Sequence, residues 1–370
     1  MEGKSFKNTA VIRVSLNNNP VGRLAFGTDR RCLFEYDSAW LDHGFSISPF
    51  YLPLQPGLFT ARHDPFNGLF GVFSDSLPDG WGTLLIDRWL QKKGILPAVL
   101  TPLDRLALVG LNGMSALVYE PDLGPGKQPD NTDLGFLAGE ASKILHDEYC
   151  NNLELLIQKG ESSGGARPKV LVHLDGEDWL VKFPASTDPP GIGELEYLYS
   201  EIARKCGIIM PPTRLFEGKY FGVKRFDRKV GRKIHVHSAS GLLYASFRYP
   251  SLDYTELMKA AMALTGDINE VSGVFRQMIF NVLTGNRDDH AKNFSFLYDN
   301  GRWQLSPAYD LVKSAGFNGF HSTTVAGSGN PARQDIFRVA EQTGFPLKTA
   351  ALIFDEVHEG CREIRLPLSG

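Results

Sequence analysis

The stretch that decides the fold is Asn286-Arg-Asp-Asp-His-Ala-Lys-Asn293. It is polar, yet it lies between the largely apolar runs 278–283 and 294–297. Keeping two acids, a His and a Lys beside a core costs free energy, so their presence there suggests that they have a function. Asp288 and Asn293 are five positions apart, which is the spacing of the Asp and the Asn in a protein-kinase catalytic loop. The alternative is a polar loop between two buried segments.

A third candidate follows this stretch. Asp310 comes after two short strand-like runs joined by Asn300-Gly301, a typical hairpin turn. Phosphoryl transfer needs a carboxylate that orients the attacking hydroxyl, together with oxygen ligands for Mg²⁺. Asp288 suits the first role, and Asn293 and Asp310 suit the second. The pattern therefore predicts an ATP- and Mg²⁺-dependent kinase site.

Two further parts of such a site lie upstream. Ser162–Lys169 is a turn of small residues whose backbone can approach phosphate oxygens, although a turn of this kind is more often a plain hairpin. Lys182 lies in the apolar, strand-like run 179–184, where a strand with one solvated lysine is the alternative. Glu196, on the helix predicted to follow, suits an ion pair that holds Lys182 toward the phosphates.

The rest of the chain predicts an α+β fold. The first forty residues alternate apolar and polar positions in short runs broken by Asn, Gly and Pro, which indicates an antiparallel β meander. The segment 121–131, rich in Pro, Gly and Asp, is the predicted linker. We therefore expect a small β-rich subdomain at 1–120 and a two-lobed, kinase-like domain at 132–370. Its N-lobe extends to about residue 230 and a mostly helical C-lobe follows.

Local signals also predict two helices. Leucines and a tryptophan recur at helical spacing in 83–90, with Ser76 or Asp79 as the predicted N-cap. Another helix is predicted over about residues 133–158.

Composition excludes several classes of function. The chain has 370 residues, a formal net charge of -3 and four scattered cysteines, which argues against a zinc site and against direct, strong nucleic-acid binding. No run approaches the roughly 18 apolar residues that span a bilayer, and we find no signal-peptide pattern. A GxxxxGK[ST] loop and an HExxH helix are missing as well. We therefore expect a cytoplasmic enzyme with no membrane partner.

Taken together and in this order, the motifs resemble those of the HipA family, the serine/threonine-kinase toxins of bacterial HipBA toxin–antitoxin modules. The resemblance covers nearly the whole chain. The segments that carry it are Phe73–Gly82, Gly164–Lys169, Val223–Arg228, Asp288–Asn293 and Tyr309-Asp310.

The resemblance implies roles residue by residue. Asp288 would be the catalytic aspartate, while Asn293 and Asp310 would hold Mg²⁺. Glu196 would pair with Lys182, and Lys224–Phe226 would form the hinge beside adenine, although Lys224 replaces an acid of the best-known member. The implied ATP-binding set is Gly164, Gly165, Ala166, Arg167, Pro168, Lys169, Lys182, Lys224, Arg225, Phe226, His290, Lys292, Asn293, Tyr309 and Asp310.

Regulation and partners are implied too. HipA-like kinases are inactivated when a serine of the glycine-rich loop is phosphorylated, and this chain has Ser162 there, with Ser163 as a second candidate. The added negative charge repels the phosphates of ATP. The implied partner is a small helix-turn-helix antitoxin like HipB and, through it, operator DNA. The implied substrate is a translation component, an aminoacyl-tRNA synthetase.

The chain departs from the family at two positions. Pro168 removes one amide donor from the glycine-rich loop. Asp289 replaces a more usual glycine, so it either binds a second ion or changes the charge of its loop.

Two alternatives to a toxin kinase stay open. The fold also resembles phosphatidylinositol kinases, so one alternative is a kinase that acts on a small molecule or a lipid. The other is a non-catalytic scaffold or a non-toxin regulator that retains an ATP pocket.

Overall fold

A sheet of five antiparallel strands builds the N-terminal region. In the computed structural model, which describes residues 8–160 and 164–364, its strand order is Leu58–Thr60, Cys32–Tyr36, Asn19–Phe26, Val11–Leu16 and Leu117–Glu120. Ile12 and Val14 are buried while Val11 and Arg13 are exposed, because successive side chains of a strand point to opposite faces. The predicted β-rich region is confirmed.

Helices complete the first of two compact units, residues 1–193 with 214–235. They span Ser38–His43, Gly71–Ser74, Gly80–Lys92, Pro102–Val109, Leu134–Leu145 and Leu153–Gly160, with a 3₁₀ turn at Pro97–Val99. The continuous helix predicted over 133–158 is wrong. The chain breaks there because Asp147 has a φ of 57°, a left-handed conformation that cannot continue a helix.

A second sheet in the same unit holds the predicted nucleotide elements side by side. Its order is Lys169–Leu174, Glu177–Lys182, Tyr220–Lys224 and Thr213–Phe216, and a short ribbon, Arg228–Lys229 with Arg232–Lys233, follows. Lys169 lies opposite Lys182, and Trp179 lies opposite Lys224. The strand after the glycine-rich turn, the lysine strand and the hinge strand are therefore neighbours.

The second compact unit, residues 194–213 with 236–370, is mostly helical, in agreement with the mostly helical C-lobe of the predicted fold class. Its helices are Ile192–Lys205, of which the first two residues are assigned to the first unit, Ala239–Leu243, Tyr254–Thr265, Ile268–Thr284, Arg333–Thr343 and Leu347–Gly360. Its 3₁₀ turns are Ala291–Asn293 and Cys361–Ile364. One sheet has the strand order His235–Ser238, Ser295–Asp299 and Arg302–Leu305. A second, two-stranded sheet pairs Leu252–Asp253 in parallel with Thr323–Thr324.

The helix Ile268–Thr284 positions the decisive loop. Asp267 caps it by accepting from the Asn269 N–H at 2.8 Å. Its buried face includes Phe275 and Met278, and burying each such side chain stabilises the fold by about 1.5–3 kcal/mol. The helix ends at Gly285, whose φ of 69° is the left-handed conformation that glycine adopts without strain. The loop 286–293 begins at the next residue.

The predicted domain boundary is not settled by this architecture. Residues 121–133 contain no helix or strand, yet the first compact unit runs through them. The division into 1–120, 121–131 and 132–370 stays a prediction. Among the described residues, no helix has the length and apolar character needed to cross a bilayer.

Candidate active site

The loop 286–293 brings together the two residues that its spacing paired. The Asn286 N–H donates to the Asn281 carbonyl at 2.9 Å, which fixes the start of the loop. Asn293 Nδ2 donates to the main-chain carbonyl of Asp288 at 2.7 Å. This bond uses the nitrogen of the amide, so the amide oxygen, the atom that suits a hard cation, lies on the other side of the group. The Asp288 residue is exposed.

Asp289 is the structural anchor of this loop. It is 0 % exposed, and its Oδ2 accepts from the Tyr254 hydroxyl at 2.8 Å and lies 2.9 Å from His321 Nδ1. Its Oδ1 accepts from the N–H groups of Ser322 at 2.9 Å and Thr323 at 3.2 Å. Both oxygens are therefore occupied by protein donors, which fits an anchoring role better than an ion ligand.

A line of buried polar side chains connects Asp289 to Asp310. Tyr254 donates to Asp289 and accepts from Asn281 Nδ2 at 3.0 Å. Asn286 Nδ2 in turn donates to Asn281 Oδ1 at 3.0 Å and to the main-chain carbonyl of Asp310 at 3.1 Å. We call Asp289, Tyr254, Asn281 and Asn286 the buried relay. It fixes the predicted catalytic loop and the predicted metal ligand relative to each other.

Burial keeps Tyr254 a hydrogen-bond donor. Burial raises the pKa of its hydroxyl well above the usual value, and the nearby Asp289 charge raises the pKa further. The group therefore stays protonated at neutral pH, as donation to a carboxylate requires.

Asp310 has an unusual backbone. Its φ is 53°, in the left-handed region that Asp visits more readily than most residues. Such conformations persist where surrounding bonds determine them, and they concentrate at functional sites. Here Asn286 holds the Asp310 carbonyl, and the neighbouring Tyr309 hydroxyl donates to the Lys292 carbonyl at 2.8 Å.

Phe247 is a part of this region that the sequence did not reveal. The Lys292 ammonium lies 4.1 Å from the centre of its ring, close enough for a cation–π contact. The His290 ring packs edge-on against it at 6.1 Å. His290 Nδ1 is buried and has no hydrogen-bond partner among the residues that the structure describes.

The glycine-rich turn of the first unit packs against the start of the helix Gly80–Lys92. The Gly165 N–H donates to the Asp79 carboxylate, and the Trp81 N–H donates to the Gly165 carbonyl at 3.0 Å. A Cβ on Gly80 would lie 2.6 Å from the Gly165 oxygen, so only glycine permits this approach. Asp79 occupies the predicted N-cap position but makes no side-chain capping bond.

Two side chains of that turn have partners in the same unit. Arg167 Nε donates to both oxygens of Asp188, at 2.9 and 3.0 Å, and the Asp188 side chain is largely buried. The buried Lys169 donates to the Gly164 carbonyl. The Pro168 carbonyl accepts from the Phe183 N–H at 2.8 Å, so this residue still contributes an acceptor.

The lysine strand and the hinge strand place their cations differently. Lys182 Nζ lies 5.5 Å from the centre of the Phe221 ring. Lys224 Nζ forms an ion pair with Glu177 at 2.5 Å. Because Lys224 already has a carboxylate partner, its backbone rather than its ammonium suits a hinge contact.

Arg225 belongs to a buried cluster beside the hinge. Its Nε and Nη2 donate to the two oxygens of Asp227 at 2.8 and 2.7 Å, and Arg228 Nη1 reaches Asp227 at 2.7 Å. Burial alone would raise the pKa of Asp227, but Arg225 and Arg228 together hold it well below its usual value. Arg225 therefore fixes the strand end, and an ATP contact for it stays a prediction.

The remaining predictions concern residues of different units or residues that are not described. Lys182 belongs to the first unit, while the buried Glu196 belongs to the second, so their ion pair stays a prediction. The same holds for an ATP site built from both units. Ser162 and Ser163 lie outside the described residues.

Two family models match the chain. The HipA N-terminal domain matches residues 12–120. The HipA-like C-terminal domain matches residues 161–364, which is more than half of the chain.

Relatives and a solved structure agree with these matches. A putative kinase of Sinorhizobium fredii, Y4dM, is 24% identical over 82% of this chain and 77% of its own length. The serine/threonine-protein kinase toxin HipA of Shewanella oneidensis is 23% identical over 83% of this chain and 76% of its own length.

The solved structure shares the fold. It is a complex of HipA, HipB and operator DNA from Shewanella oneidensis, and it matches with a TM-score of 0.70 and 18% identity over 97% of this chain and 92% of that one. The predicted α+β, kinase-like fold class is thereby confirmed. The chain belongs to the HipA-like kinase family.

Proposed function

We propose that the protein is an ATP- and Mg²⁺-dependent serine/threonine-protein kinase and the toxin component of a toxin–antitoxin system. The observation that carries the catalytic part is the buried relay. Four buried polar side chains are expensive to satisfy, and together they connect Asp289, the residue after the exposed Asp288, to the Asp310 carbonyl. Asn293 is joined to the same loop by its bond to the Asp288 carbonyl. A binding module needs no such arrangement of oxygen ligands.

The transfer step follows from these positions. The acceptor hydroxyl oxygen attacks the γ-phosphorus, and its bond to phosphorus forms as the bond from phosphorus to the bridging oxygen of ADP breaks. ADP leaves with that electron pair, and Asp288 accepts the hydroxyl proton. The Asn293 amide oxygen and the Asp310 carboxylate would hold Mg²⁺, which when bound neutralises charge on the phosphates. Hard oxygen donors of this kind fit that ion.

The nucleotide would bind to residues of the first unit as well. Gly164–Lys169 would cover the phosphates, Lys182 would contact them with Glu196 as its partner, and Lys224–Phe226 would form the adenine hinge. His290, Lys292 and Tyr309 would complete the site. The division into a subdomain at 1–120 and a kinase domain at 132–370 belongs to this proposal.

The biological setting rests on the family. The partner would be a HipB-like helix-turn-helix antitoxin, supported by the relative that was solved with HipB and operator DNA. An aminoacyl-tRNA synthetase would be the cytoplasmic substrate. Autophosphorylation of Ser162 or Ser163 would switch the kinase off through charge repulsion.

Labelled ATP tests the proposal. The wild-type protein, Asp288→Asn and the control Asp355→Asn, an exposed acid on the helix Leu347–Gly360, are incubated with Mg²⁺, alone and with cell lysate. We expect label on the protein and on a lysate protein with the wild type and the control only. Label confined to a lipid or metabolite fraction would point to another acceptor, and nucleotide binding without transfer would contradict a kinase.

A further inference from the structure

A pocket opens beside Asp288 in the second unit. It has a volume of about 380 Å³ and is formed by two short segments, Phe247–Pro250 and Ser314–Phe317, together with Asp288 and Ser322. The proposed catalytic carboxylate is therefore part of its lining. Neither of the two segments is part of the motifs that the kinase proposal uses.

One wall of the pocket is tied to the catalytic loop at both ends. Ser314 pairs in parallel with Asn286, and its carbonyl accepts from the Arg287 N–H at 3.3 Å. The Ser322 hydroxyl and N–H both donate to the Arg287 carbonyl at 3.1 Å. Between them, Gly316 has a φ of 66°, and a Cβ there would lie 2.5 Å from Arg287 Cβ. This wall is therefore preformed next to Asp288.

The other lining segment, Phe247–Pro250, is fixed through Ser246 and Phe247. The Arg248 N–H donates to Ser246 Oγ at 3.2 Å, and Ser251 Oγ donates to the Ser246 carbonyl at 2.8 Å. The Phe247 ring is held under the Lys292 ammonium. Both walls therefore contact residues of the loop 286–293.

The groups presented by the pocket are aromatic and cationic. Tyr249 and Phe317 are 60% and 63% exposed, and they line the same pocket rather than lying singly on the surface. Arg248 is exposed and forms no ion pair with any described residue. Aromatic rings and arginine are the side chains that most often dominate protein–protein recognition.

The acids of the neighbouring pocket are hydrogen-bonded to groups other than Arg248. An adjacent pocket is lined by Asp253 and Glu256, but both carboxylates are used internally. Asp253 accepts from Thr324 Oγ1 at 2.6 Å and from the Gly327 N–H at 2.8 Å, and Glu256 accepts from the Asp253 N–H at 3.3 Å. Asp288 is the acid that lines the pocket itself, and the transfer step uses it. Arg248 is left to meet a charge on the bound molecule.

We propose that this pocket binds the polypeptide segment that carries the acceptor hydroxyl, and that Arg248 selects an acidic side chain next to that hydroxyl. A volume of 380 Å³ is about 7 Å across, the length of about two extended residues. It therefore holds the acceptor and one neighbour, while the exposed rings contact the flanking chain. The inference rests on the proposed kinase function and adds the class of substrate sequence.

A positional-scanning peptide library with a fixed Ser or Thr tests the inference. We expect the wild type to prefer Asp or Glu beside the acceptor by about two- to fivefold, the worth of one exposed ion pair. Arg248→Glu reverses the preference toward Lys and Arg, and the KM of the best acidic peptide rises about tenfold. Arg248→Gln removes the preference without reversing it. The control Arg302→Glu, an exposed charge reversal outside the pocket, keeps the wild-type preference.

The outcomes separate the inference from the kinase proposal. If the wild type labels itself or a protein but no peptide, or if Arg248→Glu keeps the acidic preference, the inference is wrong while the kinase stands. A raised KM for ATP with unchanged peptide preference would assign Arg248 to the nucleotide and also overturn it. Failure of the wild type to transfer phosphate to anything would overturn both.

Discussion

The two loops that matter most for the proposed reaction are held in opposite ways. The loop 286–293 is anchored by Asp289, a fully buried carboxylate with four donors. The glycine-rich turn at 164–169 is held by Asp79 through an exposed hydrogen bond and by Arg167 through a partly buried ion pair. Buried polar networks are costly to break, whereas exposed contacts contribute little. The difference assigns rigidity to the proposed catalytic loop and adjustability to the proposed phosphate loop.

The largest effect expected is the loss of the anchor. Asp289→Ala leaves a tyrosine hydroxyl, an imidazole and the Thr323 N–H buried without their acceptor, while the Ser322 N–H keeps only the Arg287 carbonyl. We therefore expect the unfolding free energy to fall by about 4 kcal/mol. Chemical denaturation measures it. The matched control is Asp288→Ala, one residue away and exposed, which should change stability by less than about 1 kcal/mol. Equal losses in the two variants would refute the contrast.

Asp227 is a buried carboxylate of the first unit. Its replacement tests whether burial, rather than the unit to which a residue belongs, determines the loss of stability. Its lowered folded-state pKa means that its carboxylate stabilises the fold above the unfolded value near 3.8, and that this contribution is lost as pH falls toward the folded value. Asp227→Asn should therefore cost about 3 kcal/mol at pH 7. Urea unfolding at pH 7 and near pH 3 should show a smaller difference from wild type at the lower pH. A difference independent of pH would contradict this prediction.

A smaller effect is expected within the buried relay. Tyr254→Phe removes one donor to Asp289 and one acceptor for Asn281, at a cost of about 1–2 kcal/mol. Because Asn281 then aligns Asn286 and Asp310 less well, the transfer rate should fall with the KM for ATP nearly unchanged. Tyr149→Phe, an exposed tyrosine of the first unit, is the control. Steady-state kinetics that show only a raised KM would argue against the relay.

The smallest effect is expected at the glycine-rich turn 164–169, the proposed phosphate loop. Asp79→Ala removes an exposed bond to Gly165, so stability should change by less than about 1 kcal/mol. The KM for ATP should rise about two- to fivefold because the turn loses a fixed conformation, while kcat stays the same. A stability loss as large as that of Asp289→Ala would erase the contrast between the two loops.

The sequence revealed the local half of the candidate site. Asp288 and Asn293 are separated by five positions, and a hairpin signal led from them to Asp310, so short-range spacing was enough. The anchor was hidden because its donors come from Tyr254 and the segment 321–323, more than thirty positions away along the chain. Whether an acid in a polar run is exposed or fully buried depends on such distant partners.

The sequence allowed the fold to be predicted to a similar extent. Alternating polarity was enough to predict the strands of the first forty residues. The break at Asp147 was not predictable, because a left-handed residue between two helices leaves the apolar spacing on either side intact. Asp79 was expected to cap a helix, but its carboxylate bonds to Gly165, 86 positions away.

The most direct test of the central claim is the transfer rate of Asp288→Asn, measured with labelled ATP and Mg²⁺ alongside wild type. The variant's unfolding free energy is determined in the same buffer, because an exposed side chain should be replaceable without loss of stability. We predict a rate at least about 100-fold lower at unchanged stability, the usual worth of a positioned proton acceptor. A rate within about threefold of wild type would contradict the role of Asp288 and, with it, the proposed site.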